Sequence, residues 1–159
     1  GIASAQDANA STTTPTETAM TDLARASIDR HFAQPDVAAI AASLDAERDD
    51  AVRAAWADKA RDAMRGGALS PLSMAVSLEV VERARGATMA DCLRRDLDLT
   101  RSTFARGDVI EGVRAVIVDK DHAPKWRYPA IADVTAQAVA AMFESPWRAH
   151  EHPLRKLRD

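Results

Sequence analysis

Residues 70–107 read SPLSMAVSLEVVERARGATMADCLRRDLDLTRSTFARG, and the punctuation of this stretch decides the fold class. Ser70 before Pro71 is a helix start, because serine caps orphan N–H groups and proline is tolerated in the first turn. The run from Pro71 ends at Gly86, a glycine behind a terminal arginine, which is a common helix stop. Thr88 with Asp91 caps a second long helix to about Arg106, closed by Gly107. Its apolar stripe is expected along Met89, Leu93, Asp96/Leu97, Thr100 and Phe104, near the 3.6-residue period.

The same grammar extends in both directions. Upstream, Thr14-Pro15-Thr16-Glu17 places a cap, a first-turn proline and an acid ahead of a helix over about 15–32, with Met20, Leu23, Ser27/Ile28 and Phe32 facing inward. Pro35 restarts a short helix carrying Val37, Ile40 and Leu44, and a third helix runs over about 47–65 to Gly66-Gly67. Downstream, Asp108 with Glu111 reads as the cap of a helix over about 109–118, with Ile110, Val113, Val116 and Ile117 inward. Its VRAVIV run is also strand-like, but the cap and the lack of a partner strand favour helix. Pro124 and Pro129 bracket an irregular stretch, and Thr135 caps a last helix over about 136–143. The expectation is an all-α chain: a flexible linker or tail at 1–13, a helical region at 14–144 and a polar tail at 145–159.

Composition bounds what such a chain does. Of 159 residues 34 are alanine, while Leu, Ile, Val and Phe together number 30, so large core-formers are scarce and the helices are expected to lean on a partner. A net charge of −3 supplies no basic field, which argues against nucleic acid and anionic membrane surfaces as partners. One cysteine, Cys92, excludes an internal disulfide and a CxxC site, and it reads as a small buried apolar residue. No run approaches the ~20 apolar residues of a membrane span, and a cytoplasmic location is the expectation. His31, His122, His150 and His152 form no metal-ligand spacing, and His150 and His152 read as a solvated terminus. The six glycines build no phosphate loop, and there is no GxSxG elbow.

Chemistry-bearing residues are densest in GDVIEGVRAVIVDKDHAPKW, residues 107–126. On spacing alone, Glu111 and Arg114 are an i,i+3 surface pair worth ~0.2–0.5 kcal/mol. Lys120, Lys125 and Trp126 at the helix exit are suited to a phosphate-bearing, nucleotide-tailed ligand, though spacing alone favours a plain solvated surface and does not decide between them.

This segment, and EGVRAVIVDKDHAPKW above all, resembles the C-terminal signature of the 3-hydroxyisobutyryl-CoA hydrolases, a branch of the enoyl-CoA hydratase/isomerase (crotonase) superfamily. Ser70-Pro71-Leu72-Ser73 resembles the Ser-Pro-x-Ser helix start of that family, Leu93–Leu99 its next helix, and Ile28-Asp29-Arg30 to Leu44 is a fainter likeness. Val109 stands where an aromatic is usual, and Asp96 where glutamate is commoner. The resemblance implies a C-terminal helical segment that packs on a separate ββα-spiral core polypeptide, the core holding the oxyanion donors and catalytic carboxylates. It therefore implies no catalytic residue in this chain, no metal and no cofactor. An acyl-CoA thioester would be the substrate, and Lys120, Lys125 and Trp126 its CoA contacts. An enoyl-CoA hydratase or isomerase segment, or a non-catalytic helical interaction module, are the alternatives, and self-association is left open.

Overall fold

The structure is a computed structural model that describes residues 15–48 and 50–159, with side chains from Asp22 onward. The linker expected at 1–13 and the Thr14 cap lie outside the described residues. Every regular element among the described residues is helical: α1 (Pro15–His31), α2 (Val37–Ala46), α3 (Ala51–Arg65), α4 (Pro71–Ala84), α5 (Met89–Arg106), α6 (Val109–Val113) and α7 (Ala136–Met142). A π-helical turn, Arg114–Val118, continues α6, and a 3₁₀ turn spans Ile131–Asp133.

Local capping chemistry sets most of these boundaries. Ser70 Oγ accepts from the Ser73 N–H, Thr88 Oγ1 from Asp91 N–H and Thr135 Oγ1 from Ala138 N–H, so three orphan donors are met. Asp36 and Asp50 do the same for α2 and α3, which moves the start of α3 from 47 to 51. At Gly107 a Cβ would stand 2.7 Å from Thr103 O, so the α5–α6 corner requires glycine. Gly107→Ala is expected to cost about 1–3 kcal/mol through this backbone overlap, read as a lower urea midpoint at unchanged m-value.

Two small cores replace one large one. Ile40, Leu44 and Ala57 are buried between α2 and α3, with Trp56, Met64 and Leu78 packed around them. Leu72, Val76 and Met142 form the second, where α4 meets α7 and is joined by Leu99, Tyr128 and Phe143. Scarcity of large apolar residues explains this division, since each cluster has three buried members.

Several expected faces are only partly buried. On α1 Ser27 is buried and Leu23 half-buried as expected, but Ile28 is exposed, His31 is buried, and Phe32 just past the helix is exposed. On α5 Ala90 and Ser102 are buried, while Met89, Leu93 and Phe104 point outward. On α6 and the π turn only Ala115 is buried, and Ile110, Val113, Val116, Ile117 and Val118 are all more than 40% exposed. The physical reason is common to all three: the buried partner on each helix is small or hydrogen-bonded, and among the described residues the large apolar side chains are at most partly covered, as where Phe32 meets the Trp56 ring edge to face. Cys92 is half-buried rather than buried, and Arg95 donates to its Sγ.

The C-terminal stretch is anchored, which corrects the solvated reading of His152. Arg94 donates to the carbonyls of Leu154 and Leu157, and Asp159 accepts from the Ala90 N–H at the start of α5. His152 is 7% exposed. Its Nδ1 accepts from the Leu154 N–H, and its Nε2 lies 3.2 Å from Asp98 Oδ1. His150 is exposed, as expected.

Candidate functional site

The Gly107–Trp126 segment is organised around one guanidinium. Arg114 sits on the first residue of the π turn and donates Nε and Nη2 to the two oxygens of Glu111, at 2.9 and 2.7 Å. Its Nη1 reaches Asp119 at 2.6 Å and Asp121 at 2.7 Å, and Nη2 also reaches the Ala123 carbonyl at 3.2 Å. Expected as a lone surface pair, Glu111–Arg114 is thus the centre of a knot with three carboxylates. The flanking acids of Asp119-Lys120-Asp121 were the sequence signal for it, because they lie within one loop of an arginine.

The knot fixes the backbone that follows. Glu111 Oε1 accepts from the Lys125 N–H at 2.6 Å, and Asp121 Oδ1 from the Ala123 N–H at 2.9 Å. Between these anchors Lys120 and His122 adopt φ of 55° and 52°, a left-handed conformation that costs a non-glycine residue of order 1–3 kcal/mol. The hydrogen bonds of Arg114, Asp121 and Glu111 offset that cost.

Asp108 does not cap α6 through its side chain as expected. Its Oδ2 accepts from Ser70 Oγ at 2.5 Å and its Oδ1 from the Arg127 N–H at 3.1 Å, tying the start of α4 to the segment after the knot. The joint role of Ser70 and Asp108 escaped the sequence reading because they are 38 residues apart and each has a sufficient local explanation as a cap.

Of the three expected CoA contacts, Trp126 is placed most firmly. Its Nε1–H donates to Gly67 O at 2.7 Å, and its ring edge lies where a Gly112 Cβ would come within 3.4 Å. The residue lines both a ≈ 370 Å³ cavity, with Arg65, Pro129 and Ile131, and a ≈ 330 Å³ pocket, with Val113, Val116 and Ile117. Lys120 and Lys125 are exposed, and neither ammonium forms an ion pair among the described residues. The Lys125 backbone and the Trp126 ring are held, while the charges of Lys120 and Lys125 are in solvent.

Electrostatics follow the geometry. The Arg114 guanidinium, and then the Lys125 N–H, hold the Glu111 carboxyl at about 2, well below the ordinary 4.5. The Ala123 N–H and Arg114 lower Asp121, and the three carboxylates raise Arg114, Glu111 foremost. A carboxyl lowered on folding adds stability above its unfolded value and loses it as pH falls toward the folded one. The Trp126 indole N–H resonance is therefore expected to stay constant above about pH 4.5 and to shift between there and about pH 2 as the knot opens. In Glu111→Gln the resonance should be perturbed at neutral pH and show a much smaller acid transition.

A second polar cluster, not foreseen, joins α1 to α2. His31 Nδ1 lies 2.8 Å from Ser43 Oγ, and its Nε2 lies 3.2 Å from Glu47 Oε2, which Arg30 also reaches at 3.1 Å. Ser43 lies on α2 and Glu47 at its C-cap, so the pair that receives His31 straddles the end of the helix.

The sequence model of the family described as enoyl-CoA hydratase/isomerase matches residues 2–143. The chain is 31% identical over 119 residues to the small ribosomal subunit protein mS47 of Arabidopsis thaliana, covering 73% of this chain and 28% of that one. It is 34% identical over 77 residues to the mitochondrial 3-hydroxyisobutyryl-CoA hydrolase of Rattus norvegicus, covering 48% of this chain and 20% of the relative. Among solved structures it matches an enoyl-CoA hydratase from Rhodobacter sphaeroides with a TM-score of 0.67 and 32% identity, over 79% of this chain and 35% of that one. The chain thus spans about a fifth to a third of the proteins it resembles.

Proposed function

This chain belongs to the enoyl-CoA hydratase/isomerase family, and from that premise we propose that it is the C-terminal helical part of an acyl-CoA thioester hydrolase acting on 3-hydroxyisobutyryl-CoA or a similar short hydroxyacyl-CoA, as in valine breakdown. The observation that carries this reading is the Arg114 knot. It is built from the residues of the hydrolase-like signature, and it holds the Lys125 N–H next to Trp126.

In this proposal the chain contributes binding and leaves the bond-breaking to a core polypeptide. Thioester hydrolysis needs donors aimed at the developing oxyanion, whose loss costs about 100–1,000-fold, and a carboxylate to direct water. None of Lys120, Lys125 and Trp126 supplies a carboxylate. Two ammonium groups on a stiffened exit suit the phosphates of a CoA tail, and the exposed part of the Trp126 ring suits its adenine. No cofactor is proposed besides the CoA thioester substrate. The single thiol favours a reducing compartment, proposed as the cytoplasm, although the rat relative is named as mitochondrial.

The test is to assay 3-hydroxyisobutyryl-CoA hydrolysis by this chain alone, and by the chain co-expressed with the core polypeptide of a 3-hydroxyisobutyryl-CoA hydrolase. Turnover only in the second case is expected, and turnover by the lone chain within about a hundredfold of the complex overturns the proposal. In the complex, Lys120→Ala with Lys125→Ala is expected to raise KM roughly three- to tenfold at nearly constant kcat, the mark of uniform binding lost. An unchanged KM would return both lysines to plain surface.

The likeness to mS47 favours one other reading, a helical assembly module without catalysis. The net charge of −3 argues that such a module would dock on protein rather than RNA. An active complex with the core discriminates against it.

A further inference from the structure

Three side chains of the cluster between α1 and α2 stand in an order that has chemical meaning. Ser43 Oγ lies 2.8 Å from His31 Nδ1, and His31 Nε2 lies 3.2 Å from Glu47 Oε2. A hydroxyl within reach of an imidazole, itself oriented by a carboxylate, is the arrangement that turns a serine into a nucleophile. Arg30 at 3.1 Å keeps the Glu47 carboxylate in an ion pair, so that carboxylate accepts and Nε2 carries a proton. In the neutral ring Nδ1 is then left to accept from the Ser43 hydroxyl.

Burial sorts the three groups as a nucleophilic site requires. His31 and Glu47 are buried, at 1% and 2% exposure, whereas Ser43 is half-buried. Around it on α2 stand Ala39, Ala42 and Ala46, which put nothing longer than a methyl in the way of a reagent. The base is fixed in plane as well as in rotation, because Trp56 of α3 stacks on its ring, 6.2 Å between centroids and 24° between planes. His31 is also the last residue of α1. The negative end of that helix dipole, with the Glu47 carboxylate, favours the imidazolium that forms when the hydroxyl gives up its proton.

We propose that Ser43 is an activated nucleophile that takes one group from a small activated acyl or phosphonyl donor. Its oxygen bonds to the carbonyl carbon or phosphorus, and the bond to the leaving group breaks with its electron pair. The Ser43 proton passes to His31 Nδ1 and from there to the leaving group. Ser43 lies inside α2, where backbone N–H groups are spent on the helix itself, so an oxyanion formed here meets no backbone donor. Removal of the group is therefore slow, and the site is loaded once rather than turned over. This chemistry is separate from the thioester hydrolysis assigned above to a core polypeptide, and neither depends on the other.

The test is incubation of the full chain with a fluorophosphonate and, separately, with p-nitrophenyl acetate, followed by mass spectrometry of the intact chain and its peptides. A single phosphonyl group on Ser43 is expected, added at least about a hundredfold faster than in the urea-unfolded chain, the gain a positioned general base supplies. With p-nitrophenyl acetate a burst of about one nitrophenolate per chain is expected, with little release after it. Ser43→Ala is expected to remove label and burst, while Ser73→Ala, an exposed serine of α4, leaves both unchanged. Glu47→Gln keeps an acceptor on Nε2 but loses the charge facing the imidazolium, and is expected to slow labelling at least about tenfold. The mapping on the wild-type chain needs no variant to fold. Label at another residue, label no faster than in the unfolded chain, or label unchanged in Ser43→Ala overturns the proposal. A Glu47→Gln chain that is folded by circular dichroism and labels at the wild-type rate overturns it too, since the carboxylate would then take no part in activating the serine.

Discussion

Glu47→Ala is expected to cost about 3 kcal/mol, at the lower end of the range for removing one member of a buried ion pair. The Glu47 side chain is fully buried, and its Oε2 meets both His31 Nε2 and Arg30 Nη1. Truncation strands the ring of His31, itself 1% exposed, without an acceptor on Nε2, while Arg30, half exposed, recovers water. The lower end applies for that reason. Against a net stability of roughly 5–15 kcal/mol the loss is large. It concentrates on the docking of α1, because α2 and α3 keep Ile40, Leu44 and Ala57. Glu47→Gln retains the acceptor and most of the shape, so about 1–2 kcal/mol is expected. Urea unfolding with amide exchange on α1 measures both, and an alanine loss below about 1 kcal/mol would show that this carboxylate does not hold α1.

The same cluster shows where sequence reading stops. Helix starts at Ser70, Thr88 and Thr135 were legible because a cap and its N–H lie three residues apart, and the structure forms each bond. Which face of a helix is buried was not, because that depends on a neighbour that composition does not specify. Leu93 and Phe104 follow the 3.6-residue period faithfully and are exposed all the same. The period reports a face evolved to be covered, and the cover need not be on this chain. His31, Ser43 and Glu47 were missed for the opposite reason: each is polar, and period-based reading assigns polar residues outward. At 107–126 residue types and order were enough to expose a family likeness. The roles within it were divided differently from the spacing-based reading, with Glu111, Arg114 and the two aspartates acting as scaffold around the two lysines.

That division makes Arg114 the residue whose loss should matter most to the site. Arg114→Met keeps the length and apolar stem and removes every side-chain donor, so Glu111, Asp119 and Asp121 face one another without the guanidinium that binds all three, and the Ala123 carbonyl loses its donor. Mutual repulsion then favours opening, and the left-handed backbone at Lys120 and His122 loses the bonds that offset its cost. The helices should survive, because neither core contains a residue from 107–127. Amide exchange across 111–127 is expected to accelerate by at least about tenfold with little change in α2, α3 or α4, the pattern of a local opening. The Trp126 indole N–H should lose its bond to Gly67 O, since the backbone that presents the ring hangs from Glu111 through the Lys125 N–H. Arg114→Lys is expected to rescue only part of the order, because an ammonium lacks the planar fork that engages Glu111 through two nitrogens while reaching Asp119 and Asp121. In the complex with a core polypeptide, Arg114→Met should raise KM at least as much as the double lysine variant, because it displaces Lys120, Lys125 and Trp126 together. Normal exchange at 111–127 in Arg114→Met would mean that the chain path and not the guanidinium shapes the exit.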